Sequence, residues 1–242
     1  MAFDITPAPR SRPQCANCPV QTCLARRQSC ARSWCERVQL LPALMPEDSP
    51  LLRPGQSLTA LYSVRAGCIK SYQLDADGNE RIRGFHFPGD IVGLEALCSP
   101  GRANAAAAVT PSQVCAVALT DMNKQMQDDP GFVVELLQRT QQELRDALAL
   151  SGEYTADERV AAFLLYLDAR IGHDDLLRLP MTRREVGSYL RLATETVCRV
   201  LKRFQSRGWL RAQDKKIRLL NKAGLANTAR NVDLAPALAA AA

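Results

Sequence analysis

Between positions 51 and 120 apolar and polar residues alternate in short runs; beyond 121 the alternation gives way to a helical period. The runs Ala60–Val64, Cys68–Leu74, Ile82–Phe87, Ala103–Val109 and Gln113–Leu119 predict strands. Turn signals separate them: Arg65-Ala66-Gly67, Asp75-Ala76-Asp77-Gly78-Asn79 and Pro88-Gly89-Asp90. Many short strands at this spacing predict a small antiparallel barrel or jelly roll. Upstream, Pro42, Pro46 and Pro50 argue against a long helix, and the Pro/Arg-rich residues 1–14 are expected to lack order.

Residues 131–151 predict a helix of about 30 Å at 1.5 Å per residue. Leu137, Leu144 and Leu148 fall near one stripe, with Phe132, Val133 and Leu136 beside it. Such a stripe packs either on its own domain or, in coiled-coil fashion, against a copy of itself; the polar opposite face favours the copy. A second amphipathic helix follows over 156–171. Thr182 and Glu185 then form a capping box, in which hydroxyl and carboxylate satisfy free N–H groups at a helix start. That helix runs from Arg183 to Leu190, turns at Arg191-Leu192-Ala193, and is followed by a helix with Thr194 as its N-cap and Cys198–Phe204 as its body. Two short helices around a tight turn make a helix-turn-helix. Trp209–Gln213 and Ile217–Leu220, joined at Asp214-Lys215-Lys216, predict a hairpin, or wing.

Charge sharpens this picture. The chain of 242 residues carries a net charge of +6. Residues 181–211 hold eight Lys/Arg and two acids, so the whole surplus is local. A basic stripe on a helix is the footprint of a phosphate-binding surface. At the start of the second helix, Glu195 and Arg199 are four apart and share a face. They form either a surface ion pair or a base-reading pair, in which Glu195 accepts from a cytosine amino group and Arg199 takes guanine O6 and N7. Their place on a basic helix behind a capped partner favours base reading, with Cys198 beside them. Thr182, Arg183, Thr194, Thr196, Lys202 and Arg203 are the expected backbone contacts.

Five of the nine cysteines lie between 15 and 35: Cys15, Cys18, Cys23, Cys30 and Cys35. Hydrophobic content of 47% is ample for a packed core, so the cysteines are not needed as staples. Cys-x2-Cys spacing suits a soft metal or an iron–sulfur cluster. Cys68 and Cys98 read as packing residues. The N-terminus lacks the basic and apolar regions of a signal peptide, and no apolar run approaches a membrane span. A cytoplasmic, non-membrane protein is expected. His86 and His173 form no nucleophile–base constellation and no Gly-rich phosphate loop is present, so an enzyme is not expected.

Barrel, long helix and winged helix-turn-helix together resemble the cAMP receptor protein family of bacterial transcription regulators, and within it the FNR-type anaerobic regulators. The resemblance rests on Leu61-Tyr-Ser-Val-Arg-Ala-Gly67, Ile69-Lys-Ser-Tyr72, Gly84-Phe-His-Phe-Pro-Gly-Asp-Ile-Val-Gly93, Ala156-Asp-Glu-Arg-Val-Ala-Ala-Phe163, Tyr189-Leu190 and Glu195-Thr-Val-Cys-Arg199. It implies an α+β chain in five parts. Residues 1–50 would be a cysteine-rich segment and 51–125 a β-roll of the cyclic-nucleotide-binding kind. Residues 126–154 would be a dimerisation helix, 155–230 a winged helix-turn-helix, and 231–242 a tail. It also implies a [4Fe–4S] cluster held by Cys15, Cys18, Cys23 and the distant Cys115, with Cys30 or Cys35 as alternatives to Cys23. It implies a homodimer on a palindromic double-stranded DNA site, with RNA polymerase as partner. In the regulators it resembles, oxygen degrades the cluster, the dimer weakens and DNA is released.

The chain departs from that pattern in places. Cys15, Cys18 and Cys23 are spaced Cys-x2-Cys-x4-Cys where the family has x5. The barrel is shortened after Arg53-Pro-Gly-Gln-Ser-Leu58, and Cys198 stands where relatives carry serine, a better hydrogen-bonding group than a thiol. Glu95 and Arg102 are out of step with the cyclic-nucleotide phosphate cassette. Structural zinc is the alternative cofactor; a haem or small-ligand sensor and an iron–sulfur electron-transfer protein are the alternative functions.

Overall fold

The computed structural model describes residues 39–40, 44–97, 104–151, 154–172, 174–230 and 232. In chain order these form β1 (Gln39–Leu40), β2 (Pro50–Leu52), β3 (Ala60–Ala66), β4 (Ile69–Leu74), β5 (Glu80–His86), β6 (Ile91–Val92), β7 (Ala105–Ala108) and β8 (Gln113–Ala118). Helices α1 (Leu119–Asp128), α2 (Pro130–Ser151) and α3 (Ala156–Ile171) follow, then β9 (Leu176–Arg178), α4 (Arg183–Leu190) and α5 (Thr194–Ser206). The wing strands β10 (Leu210–Gln213) and β11 (Lys216–Leu219) precede α6 (Lys222–Thr228). The contacts divide the chain into two compact units: residues to Ile69 with His86–Glu135, and Lys70–Phe85 with Leu136 onward.

In the first unit one sheet runs β1-β8-β3-β6, with every pair antiparallel. β2 pairs with β7 antiparallel, with an irregularity between Pro50 and Leu52. Every residue of β7 is buried, so its four alanines let neighbouring layers close tightly. Val64, Ala106, Ala108 and Val114 have no exposed surface and form the middle of this core. Gly67 turns β3 toward β4 at φ 87°, and a Cβ there would lie 2.6 Å from the Pro111 carbonyl, so only glycine fits. The barrel begins earlier than the expected boundary at 51. β1 pairs with β8, and Met45 bridges to Ser112. Strands this short carry too few residues for alternation to show.

The helix expected over 131–151 is α2, and the wider span 126–154 also takes in the end of α1, from which α2 is separated by a break. Asp129 stands before Pro130 at φ −136°, ψ 92°, because the proline ring excludes the α conformation from the preceding residue.

In the second unit α3 buries Val160–Leu165 and Leu167. Phe163, Leu164 and Leu167 are each at most 2% exposed, and burial of such a side chain contributes roughly 1.5–3 kcal/mol. Thr155 and Glu158 start α3 with a capping box, the Thr155 backbone N–H donating to Glu158 Oε2 at 2.8 Å. α3 packs against α5 and α6. Lys222 ties the start of α6 to Asp168 and Asp175, each at 2.8 Å. Strands β10-β11-β9 make the wing sheet, in which β9 is an addition to the expected hairpin. The tail from 233 lies outside the described residues. No helix among those described is long and apolar enough to cross a membrane.

Candidate nucleic-acid interface

The helix-turn-helix is built locally. The Thr182 hydroxyl accepts the Glu185 N–H at 3.2 Å, and the Thr182 N–H donates to Glu185 Oε2 at 2.8 Å, completing the expected capping box. α4 ends at Arg191 in the left-handed conformation, φ 53°, ψ 45°. A Cβ on Gly187 would lie 2.7 Å from the Leu192 carbonyl, so the turn folds back against the helix only because residue 187 has no side chain. The Leu192 N–H closes the turn on the Gly187 carbonyl at 2.9 Å.

The second helix starts one residue earlier than expected. Ala193, not Thr194, is its N-cap; its carbonyl accepts from Thr196 and Val197. Thr194 is therefore the first helical residue, its φ/ψ already committed to the helix, and no side chain caps α5. Val197, Val200, Leu201 and Phe204 bury one face of α5. The other face presents Glu195, Arg199, Lys202 and Arg203 to solvent, with Cys198 half-buried between the faces.

Glu195 and Arg199 do not pair. Arg199 instead donates from Nη2 to Thr196 Oγ1 at 3.2 Å, which leaves the Glu195 carboxylate exposed at the tip of the helix. Arg203 is held by Asp157 on α3, with Nη1 at 2.8 and 2.7 Å from the two carboxylate oxygens. The Arg203 side chain stays half exposed, and its partner is 46 residues away in sequence. Arg183 is half-buried, its Nη2 donating to the Asp214 carbonyl in the wing turn at 3.1 Å, and burial draws its guanidinium below the usual value. Its length thus braces α4 against the wing. Thr182 is exposed, but its hydroxyl serves the cap.

Two grooves flank α5. One, of about 560 Å³, lies between the helix pair and the wing, where Arg183, Cys198, Lys202 and Lys215 line it. The other, of about 450 Å³, is lined by Thr155, Asp157, Thr196, Arg199 and Arg203. The wing adds exposed Arg211, the last cation of the basic run, and beyond it Lys215, Lys216 and Arg218, which were expected only as strand and turn. Their clustering about the Asp214 turn was the available signal. Arg207 lies 5.0 Å over the Trp209 ring, which in turn packs on Phe204 at 5.4 Å. The arrangement offers exposed base-edge donors and acceptors on one helix, flanked by cations in both grooves.

The remaining predicted residues fall elsewhere. Cys115 is 1% exposed on β8, opposite Leu40 of β1 and Ser63 of β3. Cys15, Cys18, Cys23, Cys30 and Cys35 lie outside the described residues, as do Cys98, Arg102 and His173. Among the described residues no group of three His, Cys, Asp or Glu side chains is placed to hold a metal. Glu95 accepts the Asn104 N–H at 2.9 Å. Leu137, Leu144 and Leu148 stand 64%, 58% and 61% exposed on α2, with Val134 at 54%.

Comparison with known proteins agrees with this geometry. Residues 158–228 match the model of the Crp-like helix-turn-helix domain, and residues 44–129 that of the cyclic nucleotide-binding domain. The chain is 35% identical over 188 residues to the transcriptional activator protein FnrA of Stutzerimonas stutzeri, covering 75% of this chain and 77% of that protein. It is 35% identical over 192 residues, with the same coverages, to the fumarate and nitrate reduction regulatory protein of Escherichia coli K12. The structure of FixK2 from Bradyrhizobium japonicum superposes with a TM-score of 0.71 at 34% identity, covering 81% of this chain and 98% of that one.

Proposed function

Because the chain belongs to the CRP/FNR family of DNA-binding transcription regulators, we propose that it works as an oxygen-responsive homodimer on two-fold symmetric DNA. Its relatives are regulators rather than enzymes, and the exposed Glu195 and Arg199 supply the base-reading chemistry. α2 supports the dimer. Val134, Leu137, Gln141, Leu144 and Leu148 are all exposed and follow the 3-4-3-4 spacing of a coiled-coil seam. The bound dimer would act with RNA polymerase as an activator, in keeping with the name of the Stutzerimonas relative.

The observation that carries the sensory part is the register of β1. Leu40 lies directly opposite Cys115, and Cys35 is only five residues before Leu40 in sequence. Five residues span at most about 18 Å. The cysteine-rich segment therefore joins the barrel beside the buried Cys115 thiol, which fits a donor set drawn from both. Cys115, Cys15, Cys18 and one of Cys23, Cys30 or Cys35 would hold a [4Fe–4S] cluster. When bound, the cluster would supply oxygen-labile iron–sulfur bonds; thiolate ligation is the contribution of the chain.

Anaerobic purification tests the reading. Four iron and four sulfide per chain, visible absorption bleached by air and a dimer that dissociates on exposure are the expected results. Colourless protein with one zinc per chain would replace the cluster with a structural zinc site. Retention of iron by a Cys115→Ser variant would remove Cys115 from the donor set.

A further inference from the structure

Glu185 does more than cap α4. The β4–β5 hairpin falls by its contacts in the same compact unit as the helix-turn-helix. Lys70 on β4 places Nζ 2.9 Å from Glu185 Oε1 and 2.6 Å from Glu80 Oε2, with its side chain 8% exposed. Three residues along α4 from Glu185, the Ser188 hydroxyl donates to the Glu80 carbonyl at 3.1 Å and accepts the Ile82 N–H at 3.0 Å. β5 is the outermost strand of its sheet, so one hydroxyl satisfies both a donor and an acceptor of a strand edge. Phe85 of β5 then meets Tyr189 of α4 edge-on at 5.3 Å, and the Phe163 ring of α3 lies 6.4 Å from Phe85 and 5.7 Å from Tyr189.

We infer that the β4–β5 hairpin is a latch that seats the helix-turn-helix, with Lys70 as a positioning residue for specific DNA binding. The cluster is partly buried, around the Lys70 ammonium, with Glu80 at its exposed edge; such a cluster is a poor source of stability, because taking charges out of water offsets their attraction, and its best-attested use is to fix one arrangement among several. Here the arrangement fixed is that of α4. Burial draws the Lys70 ammonium down, but its bonds to Glu80 and Glu185 more than compensate, so the cation is retained. Its partner Glu185 simultaneously caps the first turn of α4. Gly187 closes on Leu192, whose N–H donates to the Gly187 carbonyl at 2.9 Å; the turn so tied to α4 leads directly into α5, and seating α4 would also seat Glu195 and Arg199. The demand for accurate seating follows from a two-fold site, whose half-sites lie a fixed distance apart; to that extent the inference rests on the dimer reading above.

The experiment uses the full-length, anaerobically purified protein and a duplex that the parent protein selects from a random library. Lys70→Met should weaken binding to that duplex about tenfold, the usual scale for a residue that acts through a second element. Measured well below the melting temperature, which should fall because two carboxylates lose their shared cation, binding to scrambled duplex and the salt slope should stay at parental values, and Lys70→Arg should restore most of the selective affinity. Unchanged or tighter binding to the selected duplex overturns the inference, as does an equal loss on both duplexes. Should Lys70→Met fail to fold, Ser188→Ala decides: a selective loss in the folded variant supports the latch, and parental affinity overturns it. Sedimentation of the parent protein, run separately, reports on the dimer; a monomer that binds its selected duplex sinks the dimer reading alone.

Discussion

α2 and α3 follow one another in the chain, carry comparable numbers of apolar residues and end in opposite situations. α3 hides most of its apolar face: Val160–Leu165 and Leu167 are buried. α2 leaves Val134, Leu137, Leu144 and Leu148 more than half exposed along one seam. A helix buries what its own fold can cover, and a regular apolar seam left over points to a partner of the same period. Under the dimer proposed above, the difference separates the residues that make the fold from those that would make the assembly.

Substitutions at matched positions sharpen that separation. Phe163→Ala should be the most damaging, costing roughly 3–5 kcal/mol of folding stability, because it opens a cavity at the centre of three rings; urea denaturation measures it. Leu144→Glu should leave folding within about 0.5 kcal/mol, as exposed positions do, yet weaken self-association by about 2 kcal/mol or more if Leu144 anchors the seam. Sedimentation at several concentrations reads the second effect, and a fall in monomer stability instead would place Leu144 with α3 rather than with an interface. Arg199→Ala should touch neither folding nor association. It should cost roughly 1–3 kcal/mol of specific DNA binding and relax one base position, read by anisotropy on single-base variants. Thr155→Ala removes the cap of α3 and should cost about 1 kcal/mol by thermal melting, with association unchanged.

The smallest effect concerns acid. Burial pushes the Glu185 carboxyl up, but the Thr182 N–H and the Lys70 ammonium outweigh it and hold the group below the usual carboxylate range. A depressed carboxylate contributes stability that is present above its ordinary pKa and lost as pH falls through its lowered value. Glu185→Gln should lower the melting temperature in the neutral region, where that contribution is present, and flatten the acid arm of the profile.

What could be read from the sequence was what is decided locally. The Thr182/Glu185 box, the turn at 191–193 and the wing lie within a few residues of their own signals, and all are present. Glu195, Cys198 and Arg199 were placed because their face is set by the helix period. The Thr194 cap failed by one residue, since an alanine that can cap only through its backbone leaves no mark in composition. β1, β2, β6 and β9 are two or three residues long and owe their existence to partners elsewhere in the chain. The same holds for the pairs that fix the interface. Asp157 lies 46 residues from Arg203, and Lys70 lies 115 from Glu185. No periodicity links such residues; only the folded chain brings them together.

The bare Cα of Gly187 has a consequence for redesign. It welds two helices and their turn into one cassette, closed against the Leu192 carbonyl, while Glu195, Cys198 and Arg199 all lie beyond the weld. If these three residues read bases as proposed above, the DNA address and the frame that carries it are written in separate letters. New addresses can be installed at 195, 198 and 199 without renegotiating the fold, whereas a single methyl group at 187 would corrupt every address at once.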